Sequence, residues 1–283
     1  MAGIIWLASY PKSGNTWLRA FLANLFRNPD KPLPINDLPN HILGDGFLIH
    51  YEQFTGKPKE QISPAEIMAL RPRIHEWFAG TNPDNAIVKT HNACVLIEGK
   101  PLITPSATAG AIYVVRNPLD VVISYAHHYK IDIQRAVDLV CDDNNFTPRS
   151  DGQVEQYLMS WSGHVNSWLS APGMVRHVMR YEDMLKAPRK AFGDLVRFLG
   201  LPLEPARLKK AIRFSSFREL SSQEKAGKFV ESRPEGDTPF FRQGKAGSWK
   251  DVLSEDQVRQ IIEHNAEMMQ RFDYLDRKGR IKT

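Results

Sequence analysis

The sequence predicts a three-layer α/β fold in which a mostly parallel central sheet carries helices on both faces. Three short apolar runs support this prediction, at residues 4–7, 85–91 and 109–115. Each run has the length and aliphatic content of a buried parallel strand, and the first and third lead into helical patterns. Because open α/β sheets bind ligands at the carboxyl ends of their strands, we expect the functional site there.

Length and composition limit the class of protein. The 283 residues are 42% hydrophobic, which favours one domain over residues 1–283 rather than two small ones. Cys94 and Cys141 cannot form a disulfide framework and fit a reducing compartment, so the expected location is the cytoplasm. No apolar run reaches the length of a membrane span, and no basic segment precedes the apolar N-terminus as in a signal peptide. The net charge of +5 suits an anionic ligand, whereas no basic run or aromatic stripe indicates nucleic acid.

The turn at residues 9–17 follows the first strand and opens the first helix. Unpaired backbone N–H groups and the positive end of the helix dipole make such a turn a phosphate cradle. Aligned on Gly14, a Walker loop would place lysine where Asn15 stands, and only Thr16 fits. The cation lies instead at Lys12, where it could neutralise a leaving oxygen without a metal. Taken alone, the segment is also compatible with an ordinary polar turn.

The second strand, at residues 85–91, ends in Lys89, Thr90 and His91. A spacing of two places Lys89 and His91 on one face of a strand, at the edge where ligands bind. A histidine in this position is more often a hydrogen-bonded structural residue than a catalyst. Both interpretations of His91 stay open on this evidence.

The third strand is followed by Arg116 and by a helix that Asn117 and Pro118 would cap and open. Ser124 lies two turns into this helix. An arginine at a helix start offers a permanently charged, two-pronged anion contact, so the sequence predicts a second anion site. A surface ion pair is the alternative for Arg116.

The segments between these motifs are variable in character. Residues 28–56 are rich in Pro, Gly and Asn and read as an irregular binding loop, a candidate acceptor wall. Its aromatic and histidine residues are His41, Phe47, His50, Tyr51 and Phe54. A capping pattern starts a helix over 63–80, residues 130–152 read as solvated surface or a mobile lid, and residues 153–169 read as a helix.

The last third of the chain continues the α/β pattern. Residues 174–181 read as a strand, and residues 188–199 and 205–213 as helices. The polar stretch 221–241 reads as a loop, and a capping box predicts a final helix over 254–271. Between these two segments lies a basic, glycine-rich loop able to wrap a phosphate with its N–H groups.

Four motifs resemble those of the cytosolic-type sulfotransferases, which use 3′-phosphoadenosine 5′-phosphosulfate (PAPS). They are Tyr-Pro-Lys-Ser-Gly-x-Thr-Trp at 10–17, Lys-x-His at 89–91, Val-Arg-Asn-Pro-x-Asp-Val-x-x-Ser at 115–124 and the loop at 241–250. In that loop Gln243 and Ser248 replace the lysine and aspartate usual in the family. Tyr-Glu-Asp at 181–183 and Ser-Ser-Phe at 215–217 resemble shorter family segments. The resemblance covers residues 4–250 and implies a P-loop-like fold.

The resemblance also implies roles for individual residues. His91 would be the general base, with Lys89 and Lys12 stabilising the transferring group, and no metal would be needed. The ring of Trp17 would stack on the adenine. Contacts to the donor would come from Lys12, Ser13, Gly14, Asn15, Thr16, Trp17, Arg116, Ser124, Tyr181, Ser215, Phe217, Arg242, Gln243 and Gly244.

The predicted function is therefore sulfuryl transfer from PAPS to a hydroxyl of a small-molecule acceptor, releasing 3′-phosphoadenosine 5′-phosphate (PAP). An amine acceptor is less favoured, and the sequence does not name the acceptor. A P-loop kinase-like phosphotransferase using ATP and Mg²⁺, or a non-catalytic nucleotide-binding protein, are the alternatives. The dimer motif of animal relatives is not kept, because Ser254, Glu255 and Arg259 occupy its last three fixed places, and the oligomeric state stays open.

Overall fold

The computed structural model describes residues 2–150, 152–227, 229–231, 239–242 and 244–282. Its strands are β1 (Ile4–Ser9), β2 (Leu43–Gly44), β3 (Ala86–Thr90), β4 (Leu96–Ile97), β5 (Lys100–Pro101), β6 (Thr108–Val115), β7 (Phe146–Thr147), β8 (Gln156–Tyr157) and β9 (Arg176–Arg180). Its α-helices are α1 (Asn15–Arg27), α2 (Leu38–His41), α3 (Leu48–Thr55), α4 (Pro64–Gly80), α5 (Pro118–Tyr129), α6 (Ile133–Val140), α7 (Trp161–Ser170), α8 (Tyr181–Lys186), α9 (Pro188–Phe198), α10 (Pro205–Phe214), α11 (Phe217–Ala226) and α12 (Glu255–Arg271). Short 3₁₀ helices cover Ile35–Asp37, Lys59–Gln61, Pro105–Ala107 and Ser248–Asp251.

The central sheet has five strands in the order β2-β3-β1-β6-β9. Every neighbouring pair in this sheet is parallel. The chain builds β3 on one side of β1 and then crosses to build β6 on the other side. The carboxyl end of β1 is therefore a topological switch point, the place where an open parallel sheet binds its ligand.

Alternating side chains of the central strand bury both faces of the sheet. Trp6 and Ala8 pack in one apolar cluster with α4, α5, α7 and α12, whereas Leu7 packs in another with α1, α9 and α10. This alternation is the period-two pattern of a strand that is covered on both sides. The predicted three-layer α/β fold is confirmed.

Six predicted helices are confirmed as α1, α4, α5, α9, α10 and α12. Ser63 and Ser254 close capping boxes at the starts of α4 and α12, as their sequence patterns predict. Asn117 caps α5 by accepting a hydrogen bond from the N–H of Leu119 at 3.0 Å. Among the described helices, none combines the length and the apolar composition that a membrane span requires.

Other predicted boundaries are wrong. Residues 28–56 are not irregular, because they contain α2 and α3, and the buried residues Leu48 and Tyr51 of α3 join the core. The helix predicted over 153–169 starts only at Trp161, since β8 pairs with β7 before it. The segments 130–152 and 221–241 likewise hold helices, α6 and the end of α11. In residues 28–56, 130–152 and 221–241 tertiary packing overrides the local Pro, Gly and polar content, whereas in residues 153–160 strand pairing overrides a helical pattern.

Candidate active site

The carboxyl ends of β1, β3 and β6 meet at one cavity of about 580 Å³, called here the central cavity. Predicted site residues in its wall are Lys12, Gly14, Asn15, Thr16, Trp17, Lys89, His91, Arg116, Ser124, Tyr181, Phe217, Arg242 and Gly244. Ser13 lies behind the wall and Ser215 away from it, and Gln243 falls outside the described residues. Residues far apart in sequence therefore meet where the sheet topology predicts a ligand.

The turn between β1 and α1 has the geometry of an anion cradle. Lys12 adopts a left-handed backbone conformation (φ 68°), which is uncommon outside glycine and clusters at functional sites. Gly14 is also left-handed (φ 106°), and a Cβ there would lie 2.8 Å from the Tyr181 ring. The buried hydroxyl of Ser13 has no hydrogen-bond partner among the described residues. A polar atom left unpaired beside a helix N-terminus fits an anionic ligand.

Asn15 occupies the place of the Walker lysine, but its side chain points back to β1. Its amide nitrogen donates to the carbonyl of Leu7 at 3.1 Å and to the hydroxyl of Ser9 at 3.2 Å. The amide thus ties the start of α1 to the end of the strand. The side-chain nitrogen of Asn15 already donates two hydrogen bonds, so a phosphate bound in the cradle would contact the backbone N–H of Asn15 instead.

The ring of His91 is held in one tautomer at the edge of the central cavity. Its Nδ1 lies 2.8 Å from the carbonyl oxygen of Ser9. A carbonyl oxygen can only accept, so Nδ1 carries the proton and the lone pair of the neutral ring is on Nε2. Burial, reinforced by the charge of Lys89, holds the pKa of His91 well below its usual value. His91 is therefore neutral near pH 7 and able to accept a proton.

A second buried histidine, which the sequence interpretation missed, supports the backbone at His91. His164 Nε2 donates to the carbonyl of His91 at 3.0 Å, while its Nδ1 lies 2.8 Å from the hydroxyl of Tyr113. Burial lowers the pKa of His164 to about 4, so its ring stays neutral. The available signal was its spacing from Trp161 and Trp168, which places a histidine on the apolar face of α7.

Five lysine and arginine residues of the described chain line the central cavity: Lys12, Lys89, Arg116, Arg242 and Lys245. Burial, together with the charges of Arg116 and Lys89, lowers the pKa of Lys12 to about 7. Burial also lowers the pKa of Lys89. Cations crowded into a partly desolvated site are stabilised by a bound anion, so these shifts indicate a site for a strongly anionic ligand.

One carboxylate also lies among these cations, and sequence reasoning did not identify it. Glu231 pairs with the fully buried Arg19 at 2.6 Å and lies 3.9 Å from the Nζ of Lys89. Burial alone would raise the pKa of Glu231, but Lys89 and Arg19 hold it below the usual value. The close partner of Glu231 is thus Arg19, and Lys89 remains available to a ligand.

The second predicted anion site forms where Arg116 meets the glycine-rich loop. The guanidinium of Arg116 donates to the carbonyls of Lys12 at 3.0 Å and Lys245 at 3.4 Å, and it lies over the ring of Tyr181. Its buried Nε has no partner among the described residues. Gly244 adopts a left-handed conformation (φ 60°), and a Cβ there would overlap the ring of Phe217. Arg116 therefore connects the two predicted phosphate motifs.

Asp120 fastens the glycine-rich loop to the start of α5. Its carboxylate accepts hydrogen bonds from the backbone N–H groups of Gly247 at 2.7 Å and Trp249 at 3.2 Å. The sequence interpretation included Asp120 in a motif without a role. An acidic residue in the first turn of a helix was the only local signal, because its loop partners are more than 120 residues away.

Replacing Asp120 with Ala should lower the free energy of unfolding by about 1–3 kcal/mol, because two backbone N–H groups would lose their acceptor. Denaturant unfolding at equilibrium measures this loss. Asp251→Ala is the matched control, since Asp251 lies exposed in the same loop. Equal stability of the two variants would contradict the fastening role of Asp120.

The predicted adenine contacts are only partly brought together. Trp17 and Tyr181 pack edge to face with ring centroids 5.7 Å apart, and Phe217 lines the same cavity. The buried Nε1 of Trp17 has no partner among the described residues. The hydroxyl of Ser215, however, donates to the carbonyl of Ala211 at 2.9 Å, inside α10 and away from the cavity wall. This hydroxyl could still accept a hydrogen bond, but donating one to a ligand would require that bond to break.

The predicted acceptor wall at residues 28–56 does not line the central cavity. His50 packs instead against Trp77 and Phe78, and Phe54 packs against Trp77. The wall beyond His91 comes from other segments. Its residues there are Thr147, Pro148, Ser150, Gly152, Gln153, Gln156, Val230 and Phe240. The segment predicted as solvated surface or a lid thus contributes to the site.

Residues 3–273 match the sulfotransferase domain family. The chain is similar to flavonol 3-sulfotransferase of Flaveria bidentis, with 26% identity over 282 residues that cover 91% of this chain and 78% of the relative. It is also similar in fold to two solved structures. Mouse sulfotransferase SULT7A1 complexed with PAP superposes with a TM-score of 0.62 at 23% identity, covering 96% of this chain and 85% of that one.

The second structure is retinol dehydratase in complex with androsterone and inactive cofactor PAP. Its TM-score is 0.63 at 18% identity, and the match covers 94% of this chain and 80% of that one. At these identities the structural likeness establishes a common fold, while the sequence match over nearly the whole chain establishes kinship. The chain therefore belongs to the sulfotransferase domain family.

Proposed function

We propose that this protein transfers a sulfuryl group from PAPS to a hydroxyl of a small-molecule acceptor, with His91 as the general base. The observation that carries the proposal is the position of His91, whose Nε2 lone pair lies on the same cavity as the cations Lys12, Lys89 and Arg116. A neutral base beside a strongly positive anion site suits transfer of an anionic group to a hydroxyl.

The residues of the central cavity fit PAPS, a ligand with phosphates at both ends of its ribose. The cradle at Ser13 and Gly14 would hold the 5′-phosphosulfate end. The buried hydroxyl of Ser13 has no hydrogen-bond partner there among the described residues. Arg116, Ser124 and the loop carrying Gly244 would hold the 3′-phosphate. When bound, PAPS would supply a sulfuryl group at the bond next to the 5′-phosphate.

The chain's own residues would divide the transfer between them. His91 Nε2 would take the proton of the acceptor hydroxyl as its oxygen attacks sulfur in line. Lys12 would stabilise the negative charge that passes to the 5′-phosphate oxygen as the sulfur–oxygen bond breaks, and Lys89 the sulfuryl oxygens. Most of the acceleration would come from positioning and charge stabilisation, as in phosphoryl transfer.

The geometry around Asn15 argues against the kinase alternative. A P-loop kinase needs a lysine there for the outer phosphates, whereas the amide of Asn15 is committed to β1. A thermal-shift comparison separates the two functions. We expect PAP to raise the melting temperature far more than ATP with Mg²⁺ at equal concentration, and the reverse order would contradict the proposal.

Binding of PAP should be coupled to proton uptake by Lys12. With a pKa of about 7, this lysine is largely neutral at pH 8 in the free protein, and a bound phosphate would raise that pKa. The affinity for PAP should therefore be highest below pH 7 and should fall as the pH rises above 7. For one linked proton the association constant falls by at most about tenfold per pH unit.

Calorimetric titrations at pH 8 in two buffers of different ionisation enthalpy measure this uptake. Lys12→Met should remove most of the proton uptake, whereas Lys186→Met, at the end of α8 and outside the cavity wall, should leave it unchanged. Buffer-independent heats for the unaltered protein would contradict the role given to Lys12.

A cytoplasmic location is part of the same proposal. Cys94 and Cys141 are free thiols in the structure, which suits a reducing compartment. A small-molecule acceptor is supported by the androsterone bound to the structural neighbour retinol dehydratase. Nucleic acid and membrane surfaces are not proposed as partners, and an amine acceptor remains the less favoured chemistry.

A further inference from the structure

Part of the wall of the central cavity is formed by the segment around Tyr157, which hydrogen bonds to Asn92 and Ala93, the two residues that follow His91. The N–H of Ala93 donates to the carbonyl of Tyr157 at 2.8 Å, and the N–H of Tyr157 donates to the side-chain oxygen of Asn92 at 2.9 Å. Gln156, the residue before Tyr157, is thereby held in the wall of the cavity that His91 also lines.

The side chains of this wall are hydroxyls and amides: Thr147, Ser150, Gln153 and Gln156. Gln156 is only 8% exposed, and its Nε2 donates to Oε1 of Gln153 at 2.6 Å. One hydrogen bond between two amides uses one donor and one acceptor, so the pair keeps a carbonyl oxygen and N–H groups for a ligand. Exchanging oxygen and nitrogen in both amides leaves this result unchanged.

Aromatic and aliphatic side chains also line the central cavity. Phe240 lies under the Nζ of Lys12, 3.7 Å from its ring centroid, and therefore beside the proposed reacting centre. Val230, Tyr129 and Phe241 line the same cavity, and the rings of His128 and Phe241 pack against Phe240. The cavity thus offers an acceptor both aromatic side chains near Lys12 and hydrogen-bonding side chains elsewhere in its wall.

We infer that the acceptor is a polyhydroxylated saturated ring of the carbohydrate class, an inference that rests on the proposed function and names its acceptor. One hydroxyl would lie at His91, and neighbouring hydroxyls would pair with Gln153 and Gln156, since each hydroxyl both donates and accepts. A flat phenol or a sterol would leave these amides without partners in a desolvated site, which is unfavourable. The cavity also holds the donor nucleotide, so it admits one or two rings rather than a long chain.

The test compares two acceptor panels with labelled PAPS. One panel holds methyl glycosides of common monosaccharides and cyclitols, and the other holds 4-nitrophenol, simple phenols and sterols. We expect the best glycoside or cyclitol to exceed the best phenol or sterol by at least tenfold in kcat/KM. Turnover confined to phenols and sterols, or no carbohydrate turnover by protein that binds PAP, overturns the acceptor class. Failure to bind PAP instead overturns the proposed function.

Variants of the amide pair sharpen the result. Gln156→Leu and Gln153→Leu should each lower kcat/KM for the best carbohydrate about tenfold or more, mainly through KM, while the affinity for PAP stays within twofold of the parent. Gln134→Leu is the matched control, because Gln134 is exposed on α6 and bonds to Gln260 outside the cavity. Unchanged KM in both wall variants would overturn the role of the pair even if carbohydrates are sulfated.

Discussion

His91→Ala should lower sulfuryl transfer by about 10²–10⁴-fold, the usual contribution of a positioned general base. The reason is local: Nδ1 of His91 is committed to the carbonyl of Ser9, so Nε2 alone can take the acceptor's proton. Affinity for PAP should stay near that of the parent, because the cations of the donor site are untouched. Initial rates with labelled PAPS and calorimetry with PAP measure the two quantities.

The matched control for this change is His264→Ala, since His264 lies partly exposed on α12. It should keep the full rate. A His91→Ala variant that retains most of its activity would remove His91 as the base. The lowered pKa of His91 adds a direction in pH: its neutral form persists to more acid pH than for an ordinary histidine, so activity should persist on that side.

Arg116→Ala should weaken PAP binding by about 2–5 kcal/mol, since a desolvated phosphate would lose its charged partner. The guanidinium joins the cradle carbonyl of Lys12 to the glycine-rich loop and rests on the ring of Tyr181. Arg116→Lys should recover only part of the loss, because lysine keeps the charge but not the planar fork.

Calorimetric titration with PAP measures this effect. Arg259→Ala is the control, because Arg259 forms only an exposed pair with Asp256 on α12. Unchanged PAP affinity in Arg116→Ala would show that the second anion site lies elsewhere. If Arg116→Ala lost no more PAP affinity than the control Arg259→Ala, the second anion site would likewise lie elsewhere.

Three of the site residues that sequence reasoning identified share one property: each lies within a few residues of a strand end. Lys12, His91 and Arg116 follow β1, β3 and β6, and parallel strands bring their carboxyl ends to one edge. A short motif next to a strand end can therefore be placed at the ligand-binding edge of the sheet from the sequence alone. The same logic made the helices α4 and α12 predictable, because their capping boxes are local signals.

The parts that sequence reasoning missed depend on contacts between distant segments. Asp120 and Gly247 are 127 residues apart, and Arg19 and Glu231 are 212 apart. No spacing rule predicts such a pair, since the fold must be known before the partners can be. The predicted acceptor wall lies outside the lining of the central cavity for the same reason: His50 and Phe54 looked available, but they pack against Trp77 and Phe78 of α4. Phe47 of the same segment lies 6.0 Å from the Nζ of Lys89, measured to its ring centroid.

The central claim, sulfuryl transfer from PAPS with His91 as base, is tested most directly by measuring products. The protein is incubated with PAPS and the two acceptor panels, and both PAP and sulfated acceptor are quantified by mass spectrometry. We expect one PAP to be released for each acceptor that gains a sulfuryl group, and about 10²–10⁴-fold slower product formation by His91→Ala. Protein that binds PAP yet sulfates no acceptor, or equal product from His91→Ala, would contradict this claim.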